Sequence, residues 1–229
     1  MKKIILSLLL VGTFYACSNN EGTKVEATVK TEVSKKKKDN KKYYQKPERT
    51  PMSGLDLLVR EVKGETPIVQ WEGVKPTGTH VGNLTLLDKK LKVVNGELKA
   101  MKFSFDMNSI TCTDITNPEY NAKLINHLRS EDFFNVENYP SAMFNSTEIT
   151  KEGDTFLVKG DITIKGITQS IVVPVYLKQN DEMNMIVGGV EVDRTKFKIH
   201  YKSKSIFPDL GDKFISDNFT IKFAIPQKK

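Results

Sequence analysis

The sequence predicts an all-β domain, an eight-stranded antiparallel barrel with one short helix. Three observations predict it. Apolar residues recur with period two in four separate runs beyond Pro67, which buries one face of a strand and wets the other. Short turn signals separate the runs: Asn95-Gly96, Lys151-Glu152-Gly153-Asp154 and Gln179-Asn180-Asp181. A single segment, opening at Asn117-Pro118, shows helical spacing instead.

The chain begins differently. Lys2 and Lys3 precede a short apolar run, Ile4 to Val11, and then Gly12-Thr13-Phe14-Tyr15-Ala16-Cys17. A basic start, a short apolar core and a small residue before a cut site make an export signal over residues 1–16, too short for a membrane span. Cys17 behind Ala16 resembles the lipoprotein box of bacteria, although Phe14 stands where such boxes carry an aliphatic. The resemblance implies cleavage before Cys17 and lipid attachment to it, with acyl chains such as palmitate. Two or more acyl chains hold a protein stably on a membrane. The expected place is therefore the cell envelope, membrane-anchored and facing the periplasm. Ser18 is not an acidic retention signal, which favours the outer membrane by analogy.

Residues 17–49 read as a disordered basic tether. The segment is rich in Lys, Thr, Glu and Asn, with Lys35 to Lys38 at its centre, and cannot bury enough apolar area to offset ordering entropy. Up to Arg49 there are 12 basic and 5 acidic residues, and the remainder carries 23 of each. The whole formal charge of +7 thus sits in the signal and tether. The balanced remainder lacks the electrostatic footprint of a polyanion binder, so no nucleic acid is expected.

Residues 50–66 form a lead-in that sequence leaves open between a short helix and an added strand. The barrel domain occupies residues 67–229. Met101, Phe103, Phe105 and Met107 alternate with Lys102, Ser104 and Asp106. Phe156, Val158, Ile162 and Ile164 alternate with Leu157, Lys159, Asp161 and Thr163. Val173, Val175 and Leu177 follow, and Phe219, Ile221, Phe223 and Ile225 close the series. Between them, Leu124, Ile125 and Leu128 have helical spacing, with Pro118 and Glu119 suited to a helix N-terminus. A helix there lies over one end of the barrel.

An eight-stranded barrel encloses its own side chains or one ligand. The inferred inward set is Trp71, Phe103, Phe105, Met107, Phe156, Val158, Ile162, Ile164 and Phe223; such residues fill cores and line apolar pockets alike. His127, Arg129 and Asp132, with Glu131, form a polar cluster after the helix, suited to meeting a ligand headgroup or to pinning a loop. Asp161, Asp193 and Arg194 are candidates for pairing across strands. His80, His127 and His200 lack metal-ligand spacing, and no metal or cofactor is expected. No nucleophile elbow, phosphate-cradling glycine loop or Cys/His nucleophile pattern is present, so no enzyme is expected. Cys112 reads as a small buried residue.

Five ordered blocks then resemble the YceI-like polyisoprenoid-binding family. They are Trp71-Glu72-Gly73-Val74-Lys75-Pro76-Thr77-Gly78-Thr79-His80-Val81-Gly82; Phe105-Asp106-Met107-Asn108-Ser109-Ile110; His127-Leu128-Arg129-Ser130-Glu131-Asp132-Phe133-Phe134 with Tyr139-Pro140 and Phe144; Gly160 to Thr168; and Asp193-Arg194-Thr195-Lys196-Phe197. Lys198 departs from the pattern, because family members usually carry Gly there. The resemblance implies a lipocalin-like barrel whose apolar interior holds an isoprenoid lipid or isoprenoid quinone. A filled barrel acting as an envelope protein-protein interaction module is the alternative, and an enzyme on a lipid-linked substrate a more remote one.

Overall fold

The computed structural model describes residues 52–229. The export signal, Cys17 and the tether lie outside the described residues. Nine antiparallel strands form one sheet: β1 (Ile68–Lys75), β2 (Gly78–Asn83), β3 (Thr85–Val94), β4 (Glu97–Asp106), β5 (Ser141–Glu152), β6 (Thr155–Ile164), β7 (Ile167–Gln179), β8 (Met183–Asp193) and β9 (Asn218–Lys228). Two α-helices accompany them, α1 (Leu55–Glu61) and α2 (Pro118–Arg129).

The sheet order is β2-β1-β9-β8-β7-β6-β5-β4-β3. Its two ends, β2 and β3, are consecutive in the chain and separated by Leu84 alone. They are one strand with a kink, so the chain makes the eight passes that the sequence predicts. The first half of this long strand pairs with β1 and the second half with β4. The kink lets one strand serve both edges and bring the sheet round on itself. At Leu84 the backbone N–H turns to the Val69 carbonyl, 2.9 Å away. Beyond the kink, Lys89 Nζ donates to the Pro226 carbonyl, and Gln227 Nε2 to that of Leu91.

Turn chemistry sets the registers. Asn95 and Gly96 have φ of 50° and 77°, and Lys165 and Gly166 have 50° and 70°. Two consecutive left-handed residues match the twist of the flanking strands in a two-residue hairpin. Asn180 Oδ1 accepts from the Glu182 and Met183 amides and shapes the β7–β8 turn.

The alternation read from sequence lands as expected on β6, where Phe156, Val158, Gly160, Ile162 and Ile164 are buried. β8 and β9 depart from it. Ile186 to Gly189 and Phe223 to Pro226 are buried at every position. The reason is α1, which settles the lead-in as helix. Leu55 and Leu58 cover Val187 and Ala224 on the outer face of the sheet, a small second core. Period two marks a strand with one wet face, and here the second face is dry as well.

The predicted helix forms as α2. Asn117 Oδ1 accepts from the Glu119 and Tyr120 amides, Pro118 occupies the first turn, and His127 and Arg129 occupy the last. The main core is continuous from Leu128 and Phe133 beside α2 to Val158 and Val175 between the sheet walls.

Candidate functional site

The barrel is hollow toward the α2 end. A cavity of about 510 Å³ opens there, within the range of small-molecule sites. Trp71, Phe103, Phe105, Met107, Ile162, Ile164 and Phe223 of the inferred inward set line it. Phe156 and Val158 also point inward, at 4% and 0% exposure, but do not border the void. They sit in the packed part of the same interior. Alternation fixes which face a residue takes, not its depth along the axis.

The wall is built from aromatic contacts. The Phe103 ring meets Phe105 and Phe223 edge-on at centroid distances of 6.2 and 5.9 Å. The helix contributes Leu124, His127 and Leu128 to the lining. His127 is held between rings, edge-on to Phe133 at 4.9 Å and to Tyr201 at 4.5 Å. Its Nε2 lies 3.1 Å from Asp132 Oδ2.

The polar candidates therefore separate. His127 borders the cavity, whereas Arg129 and Asp132 do not. Arg129 donates to the Asn108 carbonyl and ties α2 to the turn after β4. Asp132 orients His127. The pinning role accounts for both.

Sequence reasoning missed the loop between β8 and β9. Tyr201, Lys202, Asp212, Lys213, Phe214 and Ile215 form one side of the opening. Arg194 holds that loop from beneath. It is buried, and it donates to the carbonyls of Ser216 at 2.8 Å, Ile199 at 2.8 Å and Ile215 at 2.9 Å. Asp217 lies 3.6 Å from its guanidinium, and Asp193 adds favourable charge without a direct ion pair. The carboxylate nearest Arg194 among the described ion pairs is thus neither of the two candidates, Asp161 and Asp193. Asp193 instead caps the short 3-10 turn at Arg194–Phe197, accepting from the Thr195 amide at 2.9 Å. Lys198 ends that turn with φ 57° and ψ 33°. It adopts the left-handed conformation that a glycine takes without cost, so the turn survives the departure from the family pattern.

Charge at the opening is mostly positive. Lys75, Lys202 and Lys213 border the cavity against the single carboxylate of Asp212, and His80 borders it from β2. His80 Nδ1 lies 2.8 Å from Asp114 Oδ2, and Cys112 Sγ lies 3.2 Å from Asp114 Oδ1. Burial pushes the Cys112 thiol up, and Asp114 adds to this. Partial burial would raise Asp114 too, but the Val81 amide, His80 and Cys112 outweigh it and hold the carboxyl below its ordinary range. His80 and His127 thus each have an acidic partner, and among the described residues it is His80 that shares a ligand-competent cluster.

Comparison with known proteins agrees with this architecture. A family model described as YceI-like domain matches residues 63–226. A UPF0312 protein of Photorhabdus laumondii is 39% identical over 89 residues, 38% of this chain and 45% of the relative. Protein YceI of Escherichia coli O157:H7 is 32% identical over 108 residues, 46% of this chain and 55% of the relative. The chain spans about half the length of the curated relatives it matches. Among solved structures, BcnA of Burkholderia cenocepacia superposes with a TM-score of 0.57 at 21% identity, covering 70% of this chain and 96% of that one. A polyisoprenoid binding domain from Saccharophagus degradans, implicated in plant cell wall breakdown, gives 0.52 at 11% identity, covering 71% and 93%. These likenesses carry the fold.

Proposed function

Since the chain belongs to the YceI-like domain family, and its barrel is hollow and apolar at one end, we propose that it sequesters or carries an isoprenoid-type apolar lipid. The observation that carries this reading is the cavity of about 510 Å³ walled by Phe103, Phe105, Ile162 and Phe223. A solvated apolar void is unfavourable, and each Å² of apolar surface withdrawn from water contributes about 25 cal/mol. A long hydrocarbon chain is the ligand such a wall favours, without directional contacts along its length. The basic rim of Lys75, Lys202 and Lys213 favours an anionic or strongly polar head at the opening.

The mechanism in this reading is containment. The walls exclude water, α2 and the Arg194-clamped loop frame the entrance, and no bond in the ligand changes. The hollow interior counts against a filled barrel that acts through its outer surface alone.

The place of action in this reading is the cell envelope, with the protein lipid-anchored through Cys17 and the outer membrane favoured. The basic start, short apolar run and Ala16-Cys17 box support it. An anchored carrier receives and delivers lipid within reach of its own membrane.

The test is solvent extraction of the full chain, purified in detergent from its own envelope, followed by mass spectrometry. The expected result is a lipid with an isoprenoid tail in near-stoichiometric amount. A chain that yields no apolar lipid, and takes up neither a polyprenol nor an isoprenoid quinone when offered, would overturn the proposal.

A further inference from the structure

Three donor atoms of different chemistry meet beside the opening. An imidazole nitrogen of His80, the Cys112 thiol and a carboxylate oxygen of Asp114 all lie within 4.8 Å of one another. Cys112 and Asp114 sit in the segment that follows β4, and His80 sits on β2. Backbone bonds lock the two pieces together. The Thr111 amide donates to the Asn83 carbonyl at 3.1 Å, and the Thr113 amide to that of Val81 at 2.8 Å. The Val81 amide donates back to Asp114 Oδ1 at 2.8 Å, orienting the carboxylate. Asn121 of α2 ties down the carbonyls of Cys112 and Ile115, each at 2.9 Å.

We propose that His80, Cys112 and Asp114 bind a divalent zinc-like cation, with a fourth position left for water. The donor set selects the class. Calcium and magnesium take oxygen ligands, whereas one nitrogen, one sulfur and one oxygen suit zinc. The spacing suits it as well. Bonds of zinc length in a tetrahedron separate donor atoms by roughly 3.3–3.6 Å. His80 Nδ1 lies 2.8 Å from Asp114 Oδ2 and Cys112 Sγ lies 3.2 Å from Oδ1. With one oxygen taken from the carboxylate, the three donors lie within 4.8 Å of one another, so side-chain rotation is enough to bring them to that spacing. In the metal-free arrangement protons bridge these groups. The cation replaces them: the S–H bond of Cys112 breaks, a Zn–S bond forms, the proton leaves to solvent, and the His80 proton resides on Nε2 so that Nδ1 coordinates. Oxidation states do not change.

The supporting shell is already present. The Val81 amide on the carboxylate and the Asn121 amide on the Cys112 carbonyl are the kind of outer contacts that orient metal ligands. The inference does not depend on what the barrel carries.

The experiment uses the full chain with Cys17→Ser, which leaves Cys112 as its one thiol. The protein is kept reduced, stripped with chelator, and titrated with Zn²⁺ by calorimetry and Co²⁺ by absorption. Expected are one cation per chain, a near-ultraviolet thiolate-to-cobalt charge-transfer band, and slower alkylation of Cys112 by iodoacetamide once Zn²⁺ is bound. Cys112→Ser abolishes the band, and His80→Ala and Asp114→Asn each weaken Zn²⁺ binding at least tenfold. A cobalt complex without the band, or alkylation unaffected by Zn²⁺ in the parent chain, overturns the proposal even if a variant fails to fold. Equal Zn²⁺ affinity in folded Cys112→Ser overturns it too.

Discussion

Trp71 Nε1 donates to the Thr111 carbonyl at 2.9 Å, joining β1 to the segment that follows β4. The indole thereby lines the cavity with its apolar body while its N–H is satisfied in the wall. Gly82 makes the contact possible. A Cβ there would lie 1.7 Å from the Thr111 carbonyl oxygen and 2.6 Å from Trp71 Nε1.

Gly82→Ala is therefore expected to push the Thr111 backbone away and break the indole bond. Overpacking and one lost buried hydrogen bond together cost about 3 kcal/mol. Trp71 is the sole tryptophan, so its emission reports the change directly. A native emission maximum and an unshifted urea midpoint would refute the expectation.

Arg194→Met removes the donors to three loop carbonyls and the partner of Asp217. The three carbonyls lose their donors, while Asp217 is part-exposed and keeps Ser203 and Ser205 as hydrogen-bond partners. The expected loss is therefore about 2–3 kcal/mol, below that of a fully orphaned buried charge. Limited proteolysis should cut the variant between residues 199 and 216 well before the parent. Equal digestion rates would show that the loop is held by other contacts.

Lys198→Gly relieves a left-handed backbone and is expected to stabilise the fold by at most about 1 kcal/mol, net of the entropy that glycine loses. Thermal unfolding measures it, and a lower midpoint would contradict the backbone argument.

Phe105→Trp separates a hollow barrel from a full one. Overpacking a filled core costs about 1–3 kcal/mol. Phe105 borders the cavity, so the larger ring is expected to leave the unfolding midpoint near that of the parent while reducing bound lipid. A fall in stability without loss of lipid would place Phe105 in packed core.

Asp114 gives a pH dependence with a definite sign in chelator-treated protein. Its folded pKa is depressed from an ordinary 3.8. The stability it contributes is present above that value and is lost as pH falls through the folded value. Asp114→Asn should be less stable than the parent near neutrality, with the difference shrinking below pH 3.8. A difference that stays constant through the acid range would assign the effect to geometry and not to charge.

Much of the barrel is legible in the sequence because a one-sided strand writes its burial as alternation. β6 does so clearly, β4 does so around Met101 and Phe103, and Asn117-Pro118 announces α2. β8 and β9 do not, because α1 dries their outer faces. The cavity residues of β4, Met107, Ile162, Ile164 and Phe223 are readable as inward-facing, but nothing local tells Phe105 at the void from Val158 in the packed interior. Tyr201, Lys213 and Phe214 lie in a loop without periodicity, placed by long-range contacts such as the Arg194 clamp, the Ser216 amide on the Val74 carbonyl and the His127–Tyr201 ring contact. The His80–Cys112–Asp114 cluster spans more than thirty residues. Only the pairing of β2 with the segment after β4 brings it together, and ligand spacing along the chain carries no trace of that.

The kink at Leu84 has a topological consequence. β1 and β9 pair side by side, Ile68 opposite Ala224, and Glu65 and Lys228 form an ion pair, so both ends of the domain meet at one place. A short peptide can join them, and the chain can be reopened elsewhere. A circular permutant cut in the Asn95-Gly96 hairpin keeps the strand that serves both margins of the sheet. One cut at Leu84 splits that strand and turns a hoop into a ribbon with two loose ends. The first permutant should fold and retain lipid. The second should expose unpaired strands and self-associate.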